Sequence, residues 1–365
     1  MKTLILTVTA GYGHNSTAAA VKTAFSQNGN ECKIVDICYE NNKAIGFIID
    51  KGYLASVKLL KKPYSVVYTK LLEREAGKKD VTVRLASYLS KKYKEQLLEY
   101  APDVVVCTHV LAAMVIKPFI LSGELNAKTI GILTDFTLHP YWEEATAIDY
   151  IVIPSEKLAD ECIAKGYKPE QILPIGVPIQ QKFSNVLTKS EAREQIGLMP
   201  DKPVITVMSG SMCYGGLTNT VKALDKINSC FQIVAVCGSS KKELKKLERE
   251  HFKHKVIKLG FTDKINIIMD ASDCIITKPG GLSVSESLSR ELPMILSHPI
   301  PGHEERNLRF IVDNGAAIEI SKDKKVDEAV KDFLTNSNLR ASLAHSASLL
   351  GKKNAAEKLF EVACK

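Results

Sequence analysis

The run DCIIT ends in KPGGLSVSESL, and the same stretch, residues 278–307, closes with PIPGHEERN. The first part sets Pro279, Gly280 and Gly281 after Lys278, with Ser283, Ser285 and Glu286 in the segment that follows. A glycine turn that opens a helix presents backbone N–H groups and the positive end of the helix dipole, which together hold phosphate. Glu286 falls one turn inside, where a carboxylate can accept two ribose hydroxyls. In the second part Gly302 ends a proline-stiffened turn, and His303, Glu304 and Asn307 stand at i, i+1 and i+4, a spacing that lets them share one sugar's hydroxyls. The chemistry indicated is capture of an anionic sugar nucleotide; a salt-bridged helix cap is the structural alternative.

A second constellation lies near the start, in TVTAGYGHNSTAAAVKTAF. Gly11 and Gly13 permit a tight turn after an apolar run, Asn15 or Ser16 suits a helix N-cap, His14 stands at the mouth of the turn, and Gly11, Gly13 and Asn15 are expected at the acceptor. The full dinucleotide spacing is absent, because Ser16 occupies the third glycine position, and no P-loop Gly-Lys-Ser follows. An imidazole there titrates near neutrality, as a general base must, or else merely caps. In GILTDFTLHPYW, Asp135 ends another apolar run and is followed by His139 and Trp142, which suits orienting the imidazole and binding an acceptor, or a helix cap and ordinary packing. VMSGSMCYGGL adds Gly210, Ser211, Gly215 and Gly216 for a diphosphate, with a plain turn as the alternative. Phe261 in KLGFTDKI is placed to flank a planar base, or belongs to the core.

These residues need a scaffold that brings the ends of several strands together. Short β-branched runs alternate with helix-length segments: TLILTV, CKIVDI, DVVVC, KTIGIL and DYIVIP, then PVITVMSG, FQIVAVCG, KVIKLG, DCIITKPGG and LPMILS. Such alternation predicts βαβ units and parallel sheets, and 365 residues exceed the usual span of one core. The expected fold class is α/β, with two Rossmann-like doubly wound domains facing a central cleft. The Gly- and Pro-bearing stretch 176–202 suits a linker. The division expected is a domain over 1–178, a linker over 179–200, a second domain over 201–340 and terminal helices over 341–365, which can pack back on the first domain.

Composition narrows the function class. Nine cysteines without a CxxC pair give neither a zinc knuckle nor a disulfide framework, and point to a reducing cytoplasm. MKTLILTVTAGYGH is read as a strand and glycine loop, not a signal peptide. The apolar stretch 104–116 is shorter than the roughly 20 residues that span a bilayer. The segment 43–94, with 13 Lys and Arg against four acids, carries more than the whole formal net charge of +8, and the rest of the chain nearly cancels. Phe47, Ile48, Leu54, Val57, Leu59, Leu60, Val66 and Val67 interleave with its lysines and tyrosines, the pattern of an interfacial anchor drawn to anionic headgroups, or of a solvated face. No nucleic-acid motif accompanies the basic patch, so no nucleic-acid partner is expected.

KPGGLSVSE followed by PIPGHEERN, with TAGYGHNSTAAA, LTDFTLHPYW and PIGVPI, resembles the monogalactosyldiacylglycerol synthase group, which includes bacterial diacylglycerol glucosyltransferases and is related to the transferase that adds N-acetylglucosamine to lipid I. The likeness runs along nearly the whole chain. It implies a GT-B fold, a UDP-sugar donor held by the carboxyl-terminal domain, a lipid acceptor reached through the amino-terminal domain, and inversion at the anomeric carbon. By position it implies Glu286 as ribose ligand, and Ser211, Gly215, Gly216, Gly280, Gly281 and Ser283 as the diphosphate cradle. The Phe261 backbone falls at uracil, Glu304 and Asn307 at the donor sugar, and His14 at the base. Many relatives carry glutamine where this chain has His303, which leaves the donated sugar open. The implied enzyme is peripheral on the inner face of the cell membrane, takes diacylglycerol, and needs no metal or other cofactor. Transfer to a polyprenyl-linked acceptor and a non-catalytic nucleotide-binding role are the alternatives.

Overall fold

The strands TLILT, VVVC, VITVM, QIVAV and CIIT are buried along almost their whole length, as strands covered by helices on both faces must be. The computed structural model describes residues 1–9, 12–40, 77, 80–210 and 216–365. Gly11, Ser211, Gly215 and the basic stretch 41–76 lie outside the described residues, as do the anchor residues Phe47 to Val67. Contacts gather the described residues into two units. The first holds Met1–Gln181, Ile300–His303 and Lys352–Lys365, and the second Lys182–Pro299 and Glu304–Gly351.

In the first unit the order is β1 (Lys2–Thr7), α1 (Gly13–Gln27), β2 (Glu31–Asp36), α2 (Val81–Tyr100), β3 (Val104–Cys107), α3 (Val110–Leu121), β4 (Lys128–Ile132), β5 (Tyr150–Val152), α4 (Ala159–Ala164) and β6 (Ile172–Leu173). The strands form one parallel sheet in the order β2-β1-β3-β4-β5-β6. β2 lies at the edge, and its polar Glu31, Lys33 and Asp36 interrupt the apolar pattern accordingly. Strand order reverses between β1 and β3, and a crevice for ligand opens beyond the carboxyl ends of strands at such a point.

The second unit opens with α5 (Lys189–Gln195). It continues through β7 (Val204–Met208), α6 (Leu217–Leu224), β8 (Gln232–Val236), α7 (Lys241–Glu248), β9 (Lys255–Leu259), α8 (Ile265–Ala271), β10 (Cys274–Thr277), α9 (Gly281–Ser289), β11 (Met294–Leu296), α10 (His303–Asp313), β12 (Ala317–Glu319), α11 (Val326–Thr335) and α12 (Ser337–Leu350). Its parallel sheet runs β12-β11-β10-β7-β8-β9, and the reversal falls between β7 and β10. The core on the β7 side is Ile205, Val207, Leu217, Val221, Ile233, Ile276, Ile295 and Phe333. Arg290, after α9, lies 3.2 Å from Asp270 with both side chains 1% exposed, and its Nη2 donates to the carbonyls of Lys182 and Asn185.

The terminal helix α13 (Ala355–Cys364) belongs with the first unit. Ala356, Leu359 and Ala363 join Ile5, Ala18, Val21 and Phe25 in one cluster, and Phe360 meets Phe25 edge to face at 5.2 Å. Lys128 Nζ donates to the carbonyls of Val362 and Ala363, a cation on the negative end of that helix.

Candidate active site

In the first unit three imidazoles and a carboxylate gather beyond β1, β3 and β4. His14 lies in the first turn of α1, and its Nδ1 stands 2.6 Å from the carbonyl of Thr108, just past β3, with Thr134 Oγ1 farther off at 3.4 Å. A carbonyl only accepts, so in the neutral ring Nδ1 carries the hydrogen and Nε2 is left with its lone pair. Among the described residues Nε2 has no hydrogen-bond partner. Burial lowers the pKa of His14 below the ordinary imidazole value, and the charge of Asp135, past β4, opposes that. The result is a base that is neutral at physiological pH, held through its far nitrogen.

A polar network fixes the turn that carries His14. Thr108 Oγ1 donates to Thr7 Oγ1, which donates to Asn15 Oδ1, while Asn15 Nδ2 donates to Thr9 Oγ1. Thr9 donates from both its N–H and its hydroxyl to Asp36 Oδ2, and Asp36 Oδ1 accepts from the N–H groups of Cys38 and Tyr39. Asn15, expected at the acceptor, thus bonds the strand end and the loop with both atoms of its amide. The α1 helix starts at Gly13 with no side-chain cap, so neither Asn15 nor Ser16 caps it.

His139 caps the 3₁₀ turn Pro140–Ala145, its Nδ1 accepting from Tyr141 N at 3.4 Å, and stacks on Tyr141. Burial pushes its pKa down to about 4. Trp142, also expected at the acceptor, is 3% exposed and lies over Gly131 of β4. A Cβ on Gly131 would stand 2.7 Å from both Ile148 Cδ1 and Trp142 Cζ3. Gly131→Ala should therefore cost about 1–3 kcal/mol through overpacking, read as a lowered urea midpoint with unchanged m-value. An unaltered midpoint would show that the indole shifts freely.

In the second unit Gly210, just past β7, and the glycine turn after β10 come close at the reversal point. Gly210 and Gly216 both take positive φ, +65° and +76°, which only glycine adopts without strain. Lys278 approaches Gly210, its Cε 3.6 Å from where a Cβ of that residue would be. Gly280 caps α9, and among the described residues no side chain bonds the N–H groups of its first turn, which leaves donors able to meet an anion. Pro279 and Gly281 flank that cap, and Ser283 lies in its first turn, with a carbonyl that accepts from Ser287 Oγ. Glu286 is 8% exposed, and among the described residues its carboxyl makes no hydrogen bond. Burial raises its pKa to about 8, against the pull of Lys182.

The two halves of residues 278–307 also hold each other. Lys278 Nζ pairs with Glu304 Oε1 at 2.9 Å, both side chains largely buried, and Asn307 Nδ2 donates to the Pro279 carbonyl at 3.0 Å. Glu304 and Asn307, expected at the donor sugar, thereby set the height of the Pro279–Gly280 turn. Gly302, with φ +95°, and His303 group with the first unit. Phe261, past β9, is 75% exposed, which removes the core alternative and leaves its face open to a planar base.

Sequence reasoning passed over Thr108 and His109. Both lie in the apolar stretch 104–116, which drew notice for its length alone. The available signal was a histidine placed between a strand and a helix, the same signal that singled out His14. Lys182 and Asp36 were missed as well, and no local pattern marks them.

The family model described as monogalactosyldiacylglycerol synthase matches residues 14–179, and that of the glycosyltransferase family 28 C-terminal domain matches residues 204–359. The processive diacylglycerol β-glucosyltransferase of Bacillus pumilus is 28% identical over 99% of this chain and 94% of its own length. Monogalactosyldiacylglycerol synthase 2 of Arabidopsis thaliana, a chloroplast protein, is 28% identical over 91% of this chain and 73% of its own. Among solved structures, MurG of Acinetobacter baumannii superposes with a TM-score of 0.67 at 14% identity, covering 100% of this chain and 99% of its own. S. aureus MnaA, solved with UDP, gives 0.64 at 14% identity, over 98% and 95%. The fold is the two-domain α/β arrangement called GT-B.

Proposed function

Since the chain belongs to the monogalactosyldiacylglycerol synthase and diacylglycerol glucosyltransferase family, we propose that it moves a hexose from a UDP-sugar to the hydroxyl of 1,2-diacylglycerol with inversion, giving a β-glycosyl diacylglycerol. It is a UDP-sugar-dependent glycosyltransferase that makes a glycolipid. The observation that carries the mechanistic reading is the bond from His14 Nδ1 to the Thr108 carbonyl, because it leaves Nε2 as the acceptor of a proton.

In the proposed step the lipid hydroxyl gives its proton to His14 Nε2 as its oxygen bonds to the anomeric carbon. The bond from that carbon to the β-phosphate oxygen breaks, and UDP leaves with the electron pair. Asp135 steadies the imidazolium by its charge. The leaving diphosphate is met by the first turn of α9, with Gly210 and Gly216 beside it, and stabilising the charge that develops there lowers the barrier. Glu286 takes the ribose hydroxyls. Phe261 lies against the uracil.

The test offers diacylglycerol in vesicles with each radiolabelled UDP-sugar and resolves the lipid products by chromatography. One sugar is expected to transfer to diacylglycerol, faster from anionic than from neutral vesicles, and EDTA is expected to leave the rate unchanged. Transfer confined to a polyprenyl-linked acceptor would overturn the acceptor assignment. Loss in EDTA, restored only by Mg²⁺ or Mn²⁺, would overturn the metal-free mechanism. Equal rates from both vesicles would remove the electrostatic attraction to the membrane. Among the described residues no helix is long and apolar enough to cross a membrane.

A further inference from the structure

His109 follows Thr108 directly, at the carboxyl end of β3, and it makes two contacts that together define its state. Its Nδ1 accepts from the N–H of Leu111 at 3.0 Å and so caps α3. In the neutral ring the proton therefore sits on Nε2. Its ring meets that of His14 edge to face, centroids 4.7 Å apart and planes at 76°. Two successive residues of one strand end thus grip His14: the Thr108 carbonyl takes its Nδ1 hydrogen, and the His109 ring walls it.

We propose that His109 is a positioning residue that holds the His14 imidazole in the orientation that presents Nε2 to the acceptor hydroxyl. An imidazole bonded through a single nitrogen still swings about that bond, and the flat ring of His109 removes this freedom. The helix cap fixes the tautomer of His109, and the ring packed edge to face on His14 supplies the restraint. His109 does not compete for the proton: burial, and then the charges of His14 and His139, keep its pKa well below the ordinary value. The other charged or titratable groups acting on His14 are Asp135 and His303. The inference rests on the reading of His14 as base only for its catalytic consequence; the grip itself is measurable separately.

Two substitutions separate ring from cap. His109→Asn keeps a side chain that caps helices well but removes the ring, whereas His109→Phe keeps a flat ring and gives up the cap. In the Asn protein the midpoint of the His14 titration, followed by NMR of the imidazole, should rise toward the ordinary value as burial is lost. The kcat should fall roughly tenfold to a hundredfold, the scale of a misplaced catalytic group, with KM for the UDP-sugar unchanged. The Phe protein should keep the wild-type midpoint and most of the turnover. An unmoved His14 midpoint in His109→Asn overturns the proposal whatever the rate, and so does a Phe protein as impaired as the Asn protein. Should the Asn protein fail to fold, the Phe protein alone decides: a shifted His14 midpoint there refutes the role of the ring.

Discussion

His14→Ala should lower kcat by about 10²–10⁴-fold, the usual contribution of a positioned general base, with UDP affinity unchanged. The turns proposed to hold the nucleotide belong to the second unit and the imidazole to the first, so binding and chemistry should separate. The wild-type rate should also report His14 through its pH dependence. The working form is the neutral ring, so activity is present above the folded pKa and lost as pH falls through it; burial sets that midpoint below 6.5. Asp135→Asn removes the influence that raises the pKa, so the acid limb should move to still lower pH while kcat drops for want of the stabilising charge. The same depression makes stability rise with pH in that window, because the unfolded chain binds the proton more readily. The measurement is kcat/KM against pH beside calorimetric titration of UDP; wild-type turnover in His14→Ala with normal acceptor binding would remove His14 from the mechanism.

The second large effect concerns Glu286. Its carboxyl is buried, makes no hydrogen bond among the described residues, and titrates near 8, so at pH 7 most of the unliganded protein holds it protonated. Two ribose hydroxyls donating to it favour the carboxylate. UDP should therefore bind with release of close to one proton at pH 7, and more tightly as pH rises toward 8. Glu286→Gln should weaken UDP by about 10²-fold, as expected when charge-assisted hydrogen bonds are lost, and should abolish the proton release. The sign for stability is opposite to that of His14. Between about pH 4.5 and 8 the unfolded carboxyl is ionised while the folded one is not, so wild-type stability falls across that window. The glutamine protein should not show this fall and should melt higher than wild type at pH 8. Calorimetry in buffers of differing ionisation enthalpy counts the protons; an equal count for the two proteins would dismiss Glu286 as the ribose ligand.

Much of the scaffold was legible in local pattern. Parallel strands covered on both faces must be apolar throughout, so TLILTV, DVVVC, PVITVMSG and DCIITKPGG announced themselves, and with them the glycine turns at their carboxyl ends. His14, Gly280 and Glu286 were singled out by a short signal: a strand end, a turn, a helix start. The roles of Trp142, Asn15, Glu304 and Asn307 were not readable in the same way. A tryptophan after a strand has the same local pattern whether it faces a ligand or, as here, fills the space above Gly131. That Glu304 and Asn307 also bond Lys278 and Pro279, more than 25 positions earlier, is visible only in the fold.

The chain's own order of residues determined which groups sit at strand ends, because side-chain period and turn chemistry act over a few positions. Strand order within each sheet was decided only in three dimensions, by pairing between segments distant in sequence, and that pairing put β3 beside β1 and β10 beside β7. For the same reason the tautomer of His14 could not be read from its neighbours. It is set by a carbonyl 94 residues away, and the character of a base depends on what its other nitrogen touches.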